Sequence, residues 1–140
     1  MSKRIALKDY IEVDGVDISN FCSQVQSASD HAQEDVSGFN LTGSDEFLAG
    51  KTTQSVTLQC WGSYGAGEIH QTLMPLHRDK LIAPFVWRPD GSNAVSATNP
   101  ELRGNIQILN YGPGATRGSA DSFSVTLSTA DETGLVWYET

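Results

Sequence analysis

The chain contains 140 residues, of which 39% are hydrophobic, and its formal net charge is −8. A chain of this length is expected to form one domain that buries roughly 70% of its extended surface. It has no run of about 18 apolar residues, which excludes a membrane-spanning helix, and its negative charge disfavours ordinary binding to nucleic-acid phosphates. Only three apolar residues follow the basic residues 1–4. That is too short for a signal peptide, so we expect the chain to stay in the cytosol where it is made.

The first part of the chain predicts short strands. Residues 9–13 form the first predicted strand, Asp14-Gly15 is the two-residue signal of a tight hairpin, and residues 16–18 return beside it. Residues 23–29 alternate weakly around Val25 and predict a further strand with few apolar side chains. Most of the negative charge also lies early in the chain, because residues 1–50 hold nine acids and three bases.

The polar segment from Asp30 to Gly50 is predicted to be one long loop. A connection of this length in a compact domain is usually functional or mobile. Val36, Phe39 and Leu41 indicate at most a brief strand inside it. Its apolar end, Phe47-Leu48-Ala49-Gly50, is predicted to anchor the loop before the next strand begins.

The middle of the chain predicts a strand with one buried and one solvated face. Residues 52–61 alternate between apolar and polar side chains with a period of two. The side chains predicted to face the core are Val56, Leu58 and Cys60. Cys22 and Cys60 are predicted to be buried or half-buried thiols, because disulfides are uncommon in chains without export signals.

One short helix is predicted at about residues 67–77. Its apolar side is formed by Ile69, Leu73 and Leu76. Pro75 lacks a backbone donor and is predicted to end or kink the helix. A helix this short is stable only when it packs against other elements, so we expect it to lie on a sheet. Residues 81–87 then predict a strand that is buried on both faces.

The last part of the chain predicts three more strands. Residues 103–111 place Ile106 and Ile108 on one face, residues 122–128 show the cleanest alternation, and residues 133–138 close the chain. Short strands, many turn residues and one helix make the predicted fold class mainly β. We expect a β-sandwich or barrel with one short flanking α-helix, in a single domain spanning residues 1–140.

No arrangement of residues predicts a cofactor, a metal site or an enzyme. Gly65-Ala66-Gly67 precedes a helix as a dinucleotide-binding turn does, but His70 stands where a third glycine is needed. His70 and His77 share the predicted helix without further ligands that would complete a zinc site.

Two other functional classes remain as alternatives. A hydrolase would need a carboxylate pair such as Asp35 with Glu46 or Glu12 with Asp45, although solvated surface acids are far commoner. A carbohydrate- or ligand-binding sandwich would need an exposed aromatic platform. The residues available for it are Trp61, Trp87 and Trp137, which core or interface packing also explains.

Six segments follow one another in an order that is typical of one structural family. They are Val13 to Phe21, Glu34-Asp35-Val36, Phe47-Leu48-Ala49-Gly50, the helix from Ile69 to Leu76, Trp87-Arg88-Pro89, and Ser96-Ala97-Thr98-Asn99-Pro100. Their order and spacing resemble those of the tail tube (major tail) proteins of long-tailed bacteriophages and related virion proteins with the same fold. The resemblance covers roughly residues 9–128.

The resemblance implies a structural virion protein, not an enzyme, that self-assembles into stacked hexameric rings. These rings form the tail tube, through which DNA passes without specific binding. The expected partners are copies of the chain itself and the tape-measure, tail-terminator and tail-tip proteins of the virion tail, which is assembled in the host cytoplasm. A head–tail connector or capsid-decorating protein of the same fold is the alternative within virions.

The resemblance also implies which residues meet a neighbouring subunit. The N-terminal arm (residues 1–8) and the long loop (residues 30–50) are expected to reach the adjacent ring. Interface candidates in the loop and its anchor are Asp30, Val36, Phe39, Leu41, Phe47 and Leu48. Acids that face the lumen would keep DNA from adhering, because like charges repel. The candidates for that role are Glu12, Glu34 and Asp35.

Overall fold

The structure, a computed structural model, describes residues 4–39, 43–44, 47–131 and 133–140. In chain order its elements are β1 (Tyr10–Val13), β2 (Val16–Asp17), a 3₁₀ turn (Ser19–Phe21), β3 (Cys22–Asp35), β4 (Phe47–Trp61), α1 (Ile69–Arg78), β5 (Ala83–Arg88), β6 (Glu101–Tyr111), β7 (Ser122–Thr129) and β8 (Val136–Tyr138). The predicted class, mainly β with one short helix, is confirmed. No helix in the described ranges has the length and apolar character needed to cross a bilayer.

Hydrogen bonds join the eight strands into one antiparallel sheet. The strand order is β2-β1-β5-β6-β7-β4-β3, and β8 pairs with β6. The two margins, β2 and β3, are separated in the chain only by residues 18–21. A flat sheet would hold those margins about 29 Å apart, whereas five Cα steps span at most ~19 Å. The sheet is therefore curled, which is closer to a barrel than to two stacked sheets.

The core lies on the inner face of this curled sheet. The alternation predicted for β4 and β7 is confirmed, and α1 covers part of the core with its predicted apolar side. The buried side chains of these three elements are Val56, Leu58, Cys60, Phe123, Val125, Leu127, Ile69, Leu73 and Leu76. Each fully buried aliphatic or aromatic side chain contributes about 1.5–3 kcal/mol, so this face carries most of the stability of the subunit.

The helix ends at Arg78, close to the predicted end at about residue 77, and Pro75, which was predicted to end or kink the helix, does not end it. A proline inside a helix costs about 3 kcal/mol because the carbonyl four residues earlier loses its donor. That carbonyl belongs to Gln71, which is exposed and can bond to water. Leu76 is buried in the next position, and its burial offsets much of the cost.

Strand β5 is buried on one face only, which corrects the prediction of two buried faces. Phe85 is fully buried, whereas Pro84 is exposed and Val86 is half-buried. Leu81 and Ile82 precede the strand and are 47% and 57% exposed. An antiparallel sheet with a single core face shows this alternation, even where its sequence is apolar throughout.

Strand β6 lies very close to the segment that precedes β8. A Cβ atom on Gly104 would lie 2.6 Å from the Gly134 carbonyl oxygen and 2.7 Å from Leu135 Cδ2. Only a glycine allows this approach, because backbone and a buried side chain fill the space where a Cβ atom would stand.

We expect Gly104→Ala to lower the free energy of unfolding by about 2 kcal/mol, because the added methyl group forces these segments apart. Gly112→Ala is the matched control, since nothing lies within 4 Å of its added Cβ, and its effect should stay within about 0.5 kcal/mol. Urea unfolding followed by tryptophan fluorescence measures both variants. Equal stabilities would contradict the close packing at Gly104.

Candidate assembly surfaces

Strands β3 and β4 run beyond the rest of the sheet as a two-stranded ribbon. β4 pairs with β7 only from Ser55 onward, whereas its pairing with β3 continues outward to the pair Asp35 and Phe47. Residues 29–35 and 47–54, called the arm from here on, have no third strand among the described residues. At ~3.4 Å per residue the arm extends about 24 Å. A lone two-stranded ribbon is at best marginally stable in water, so the arm contributes little stability of its own.

The segment predicted as one long loop is largely this arm. Residues 30–35 and 47–50 are strand, so the loop prediction is wrong for both, and the connection between them is residues 36–46. Neither face of the arm is buried, so the apolar–polar alternation that identifies a strand is missing. Val36 and Phe39, where a brief strand was predicted, have no regular secondary structure.

Apolar side chains on the arm and its connection are exposed. The exposed fractions are 45% for Val36 and 61% for Leu48, and Phe39 is fully exposed. Asp30 is exposed as well. Leu41 and the Phe47 side chain lie outside the described part of the structure. Leu48 does not pack into the core of its own subunit, so its predicted role at a subunit interface stays a prediction.

Gln54 attaches the base of the arm to the turn before β8. Its Nε2 atom donates to the Leu135 carbonyl oxygen and its Oε1 atom accepts from the Leu135 N–H, both at 2.9 Å. Gly134, with φ of +68°, leaves room for the Gln54 side chain. Asp131 accepts hydrogen bonds from Asn105 and from the Gly134 N–H, which lower the pKa of its carboxyl group. The arm therefore leaves the sheet from a fixed base.

The outer edge of β3 is a margin of the sheet and has no partner strand within the described ranges. An edge of 14 residues presents a long row of unpaired N–H and C=O groups that can pair with another strand. This strand carries the carboxylates of Asp30, Glu34 and Asp35. Hydrogen bonds from the Ser37 side chain and backbone lower the pKa of Asp35. Two copies of this edge repel each other, which disfavours pairing of β3 with β3.

The outer face of the sheet carries a patch of uncharged polar side chains. It comprises the polar residues of β4 and β7 that alternate with the buried ones, with their polar cross-strand neighbours in β3 and β6, while Ala28 and Trp61 lie on the same face. This polar face consists of Gln24, Gln26, Ser55, Thr57, Gln59, Gln107, Asn110, Ser122, Ser124, Thr126 and Ser128. None of these side chains is charged, so the surface neither binds phosphates by ion pairing nor strongly repels them.

The three acids predicted to face a lumen are not brought together. Glu34 and Asp35 lie at the outer end of the arm. Glu12 lies on β1 in the body of the sheet, where it is half-buried and opposite Asp17 and Val86. Asp45 and Glu46, the partners in the two carboxylate pairs considered for a hydrolase, lie outside the described residues. A lumen-facing role for these acids therefore stays a prediction.

Both helix histidines make hydrogen bonds within the fold. His70 Nδ1 lies 2.8 Å from the Tyr111 hydroxyl group, and His77 Nδ1 lies 3.1 Å from the Ile108 carbonyl oxygen. Burial raises the pKa of Tyr111 to about 12, so its hydroxyl stays protonated. In the part of the chain that the structure describes, no group of three or more His, Cys, Asp or Glu side chains could hold a metal ion.

The three tryptophans do not form one platform. Trp87 and Trp137 flank Leu102 on neighbouring strands, and their ring centroids are 5.5 Å apart. Trp87 Nε1 also donates to Asp9 Oδ2 at 2.8 Å. Trp61 is 43% exposed on the opposite face of the sheet, at the end of β4. A sugar-stacking surface built from all three is therefore not present.

Comparison with solved structures identifies the fold. Among the similar structures is the virion of the native gene transfer agent (GTA) particle, with 12% identity, a TM-score of 0.76, and coverage of 97% of this chain and 99% of that chain. Another similar structure is the SPP1 tail tube, with 13% identity and a TM-score of 0.68. The match covers 95% of this chain and 76% of that chain. The fold is that of the phage tail tube proteins. The tail of the empty GTA particle, refined with C6 symmetry, is also similar, with 13% identity and a TM-score of 0.66. This match covers 86% of this chain and 82% of that chain.

The tail-tube fold was expected from the order of the sequence motifs, and this expectation is confirmed. No protein-family model and no curated protein sequence matches the chain. Identities of 12–13% to the solved structures establish the fold alone.

We expect Gln54→Ala to loosen the arm, because the Leu135 N–H and carbonyl groups lose their partners at a loss of about 1–3 kcal/mol. Amide hydrogen exchange should become faster in residues 29–35 and 48–54. Gln26→Ala on β3, where the side chain is exposed, is the matched control and should leave exchange unchanged. Unaltered exchange in Gln54→Ala would contradict a role for this side chain at the base of the arm.

Proposed function

We propose that this chain is a structural virion protein, the subunit of a tail tube, and that it works by self-assembly instead of catalysis. The observation that carries the proposal is the arm, a ribbon that has no third strand among the residues the structure describes, on a fold shared with tail tube proteins. A ribbon of this kind is only marginally stable until another chain packs against it. Copies of the same chain are the partner that the fold similarity favours.

The free edge of β3 supports ring formation. Because its carboxylates disfavour pairing with an identical edge, β3 is proposed to meet a different part of the next copy. Such a heterologous contact generates a ring when the rotation between copies closes. The C6 symmetry of the similar GTA tail supports six copies per ring. Permanent contacts of this kind usually bury on the order of 2,000 Å² or more.

The arm and the polar face are proposed to have different roles in the tube. The arm, with the exposed Leu48 and Phe39, is proposed to reach the adjacent ring. The polar face is proposed to line the lumen, where uncharged side chains let DNA pass without counterion release or tight binding. The further partners proposed are the tape-measure, tail-terminator and tail-tip proteins of a virion tail assembled in the host cytoplasm.

Electron microscopy of the concentrated protein tests this proposal. We expect six-fold rings stacked into tubes. In the matched variant, residues 30–53 are replaced by Asn-Gly, which joins Ser29 to its cross-strand partner Gln54 through a two-residue hairpin turn. This variant should fold but form no stacked tubes, because the core is untouched and the arm that is proposed to reach the adjacent ring is gone.

The other outcomes separate the alternatives. Isolated rings that never stack would favour a head–tail connector, and binding to preformed shells would favour a capsid-decorating protein. A wild-type protein that remains strictly monomeric at high concentration contradicts self-assembly. Normal tubes from the variant without the arm would contradict the role of the arm.

We expect Leu48→Ala to impair assembly while leaving the stability of the monomer nearly unchanged, because the side chain is 61% exposed. Leu109→Ala removes the same side chain at a site that is 59% exposed but lies outside the arm, and it should assemble normally. Sedimentation velocity measures assembly, and surface substitutions of this kind change stability by about 0.5 kcal/mol at most. Equal assembly of both variants would show that Leu48 is not an interface residue.

A further inference from the structure

Cys22 and Cys60 form a pair of thiols where β3 begins beside β4. The two residues are cross-strand partners and their Sγ atoms are 3.8 Å apart. Directly opposed residues of antiparallel strands have Cα atoms roughly 4.5–5.5 Å apart, inside the range of about 4.4–6.8 Å that disulfides accept. Both thiols are free in the structure. Rotation of the side chains is therefore enough to bring the sulfur atoms to bonding distance.

The two thiols differ in accessibility. Cys60 is fully buried, whereas Cys22 is half-buried and lines a cavity of about 260 Å³ together with Arg4, Leu7 and Trp87. A small reagent therefore meets Cys22 first. The next residue, Ser23, is the extra residue of a β-bulge, where the regular ladder is interrupted and the backbone can adjust.

We propose that Cys22 and Cys60 are an oxidation site that closes to an intramolecular disulfide when the protein meets a low-molecular-weight disulfide such as oxidised glutathione. The deprotonated Cys22 sulfur attacks one sulfur of the reagent and expels a glutathione thiolate, which takes up the proton. The deprotonated Cys60 sulfur then attacks Cys22 Sγ in the mixed disulfide and expels the second glutathione. Two protein thiols become one disulfide, and one oxidised glutathione becomes two reduced molecules.

This disulfide would close the base of the hairpin that carries the arm. The two residues are 38 positions apart in the sequence, and the whole arm with its connection lies between them. In the chain-entropy account, cross-linking a loop of this length restricts the unfolded chain and stabilises the folded one. The bond also holds β3 on β4 when force acts on the arm.

The inference goes beyond the proposed function and stands without it, because the thiol pair is present in the single subunit. In a virion the site would have a clear use. Thiols stay reduced in the cytosol, and disulfides persist outside it. The bond would thus form after assembly and strengthen the finished particle.

The chemistry of Cys22 sets the expected rate. Its hydrogen bond with Cys60 and its burial raise the pKa of the Cys22 thiol above its usual range. Little thiolate is present at neutral pH, so oxidation is expected to be slow there. The rate should rise about tenfold per pH unit, because the thiolate fraction rises by that factor below the pKa.

The full-length protein is incubated without denaturant in oxidised glutathione or in dithiothreitol. In oxidised glutathione the wild type should lose both thiols, decrease in mass by about 2 Da and form no dimer. Its melting temperature should rise by roughly 10 °C relative to the reduced protein, and dithiothreitol should reverse the change. Cys22→Ser is the matched control. It keeps the buried Cys60 and should show neither thiol loss nor a shift in melting temperature.

Four results would overturn the inference. The thiols could stay free in the native wild type at mildly alkaline pH, or a glutathione adduct on Cys22 could persist without being displaced. Disulfide-linked dimers on a non-reducing gel would show that the two thiols react between subunits instead. A disulfide that forms only after urea is added would show that the native strands do not hold the thiols in reach.

Discussion

Backbone N–H and C=O groups of a strand must bond either to another strand or to water, and the two margins of this sheet meet that requirement differently. The β2 margin is only two residues long, and beyond it the chain satisfies β1, because the Ile18 N–H donates to the Ile11 carbonyl oxygen and Ser19 Oγ accepts from the Ile11 N–H. The β3 margin is open along its length among the described residues. Because one margin has 2 residues and the other has 14, β3 is the edge with more backbone groups available to another strand.

Gln54 separates two parts of strand β4. One part packs in the core, and the other is exposed on the arm. Val56 and Leu58 are fully buried between neighbouring strands, whereas Lys51 to Thr53 are exposed on the ribbon. The hydrogen bonds of Gln54 to Leu135 lie at the boundary. The energy of folding therefore comes from one half of the strand, so changes in the other half should leave the core intact.

The parts of the fold that face the core could be predicted from the sequence, whereas the exposed ribbon could not. A single buried face imposes a period of two on β4 and β7, and one helix side imposes the spacing of Ile69 and Leu73. The arm has no buried face, so its residues show no period and resemble a loop. The pairing of Cys22 with Cys60 depends on the register of two strands, which composition does not reveal. Leu48 was named as an interface candidate only through the family resemblance, because an apolar residue at the end of a polar segment normally packs inward.

The structure also gives a more specific physical explanation for the acidic character of the chain. Nine of its acids lie in residues 1–50, and three of them, Asp30, Glu34 and Asp35, follow the open margin on β3, while the polar face carries none. Like charges facing each other across two strands destabilise their pairing, and charged edges are a common way to prevent indiscriminate sheet extension. These three carboxylates thus lie where they disfavour the pairing of β3 with an identical edge. The polar face itself carries no charge, and an uncharged surface gives phosphates no ion-pairing partner.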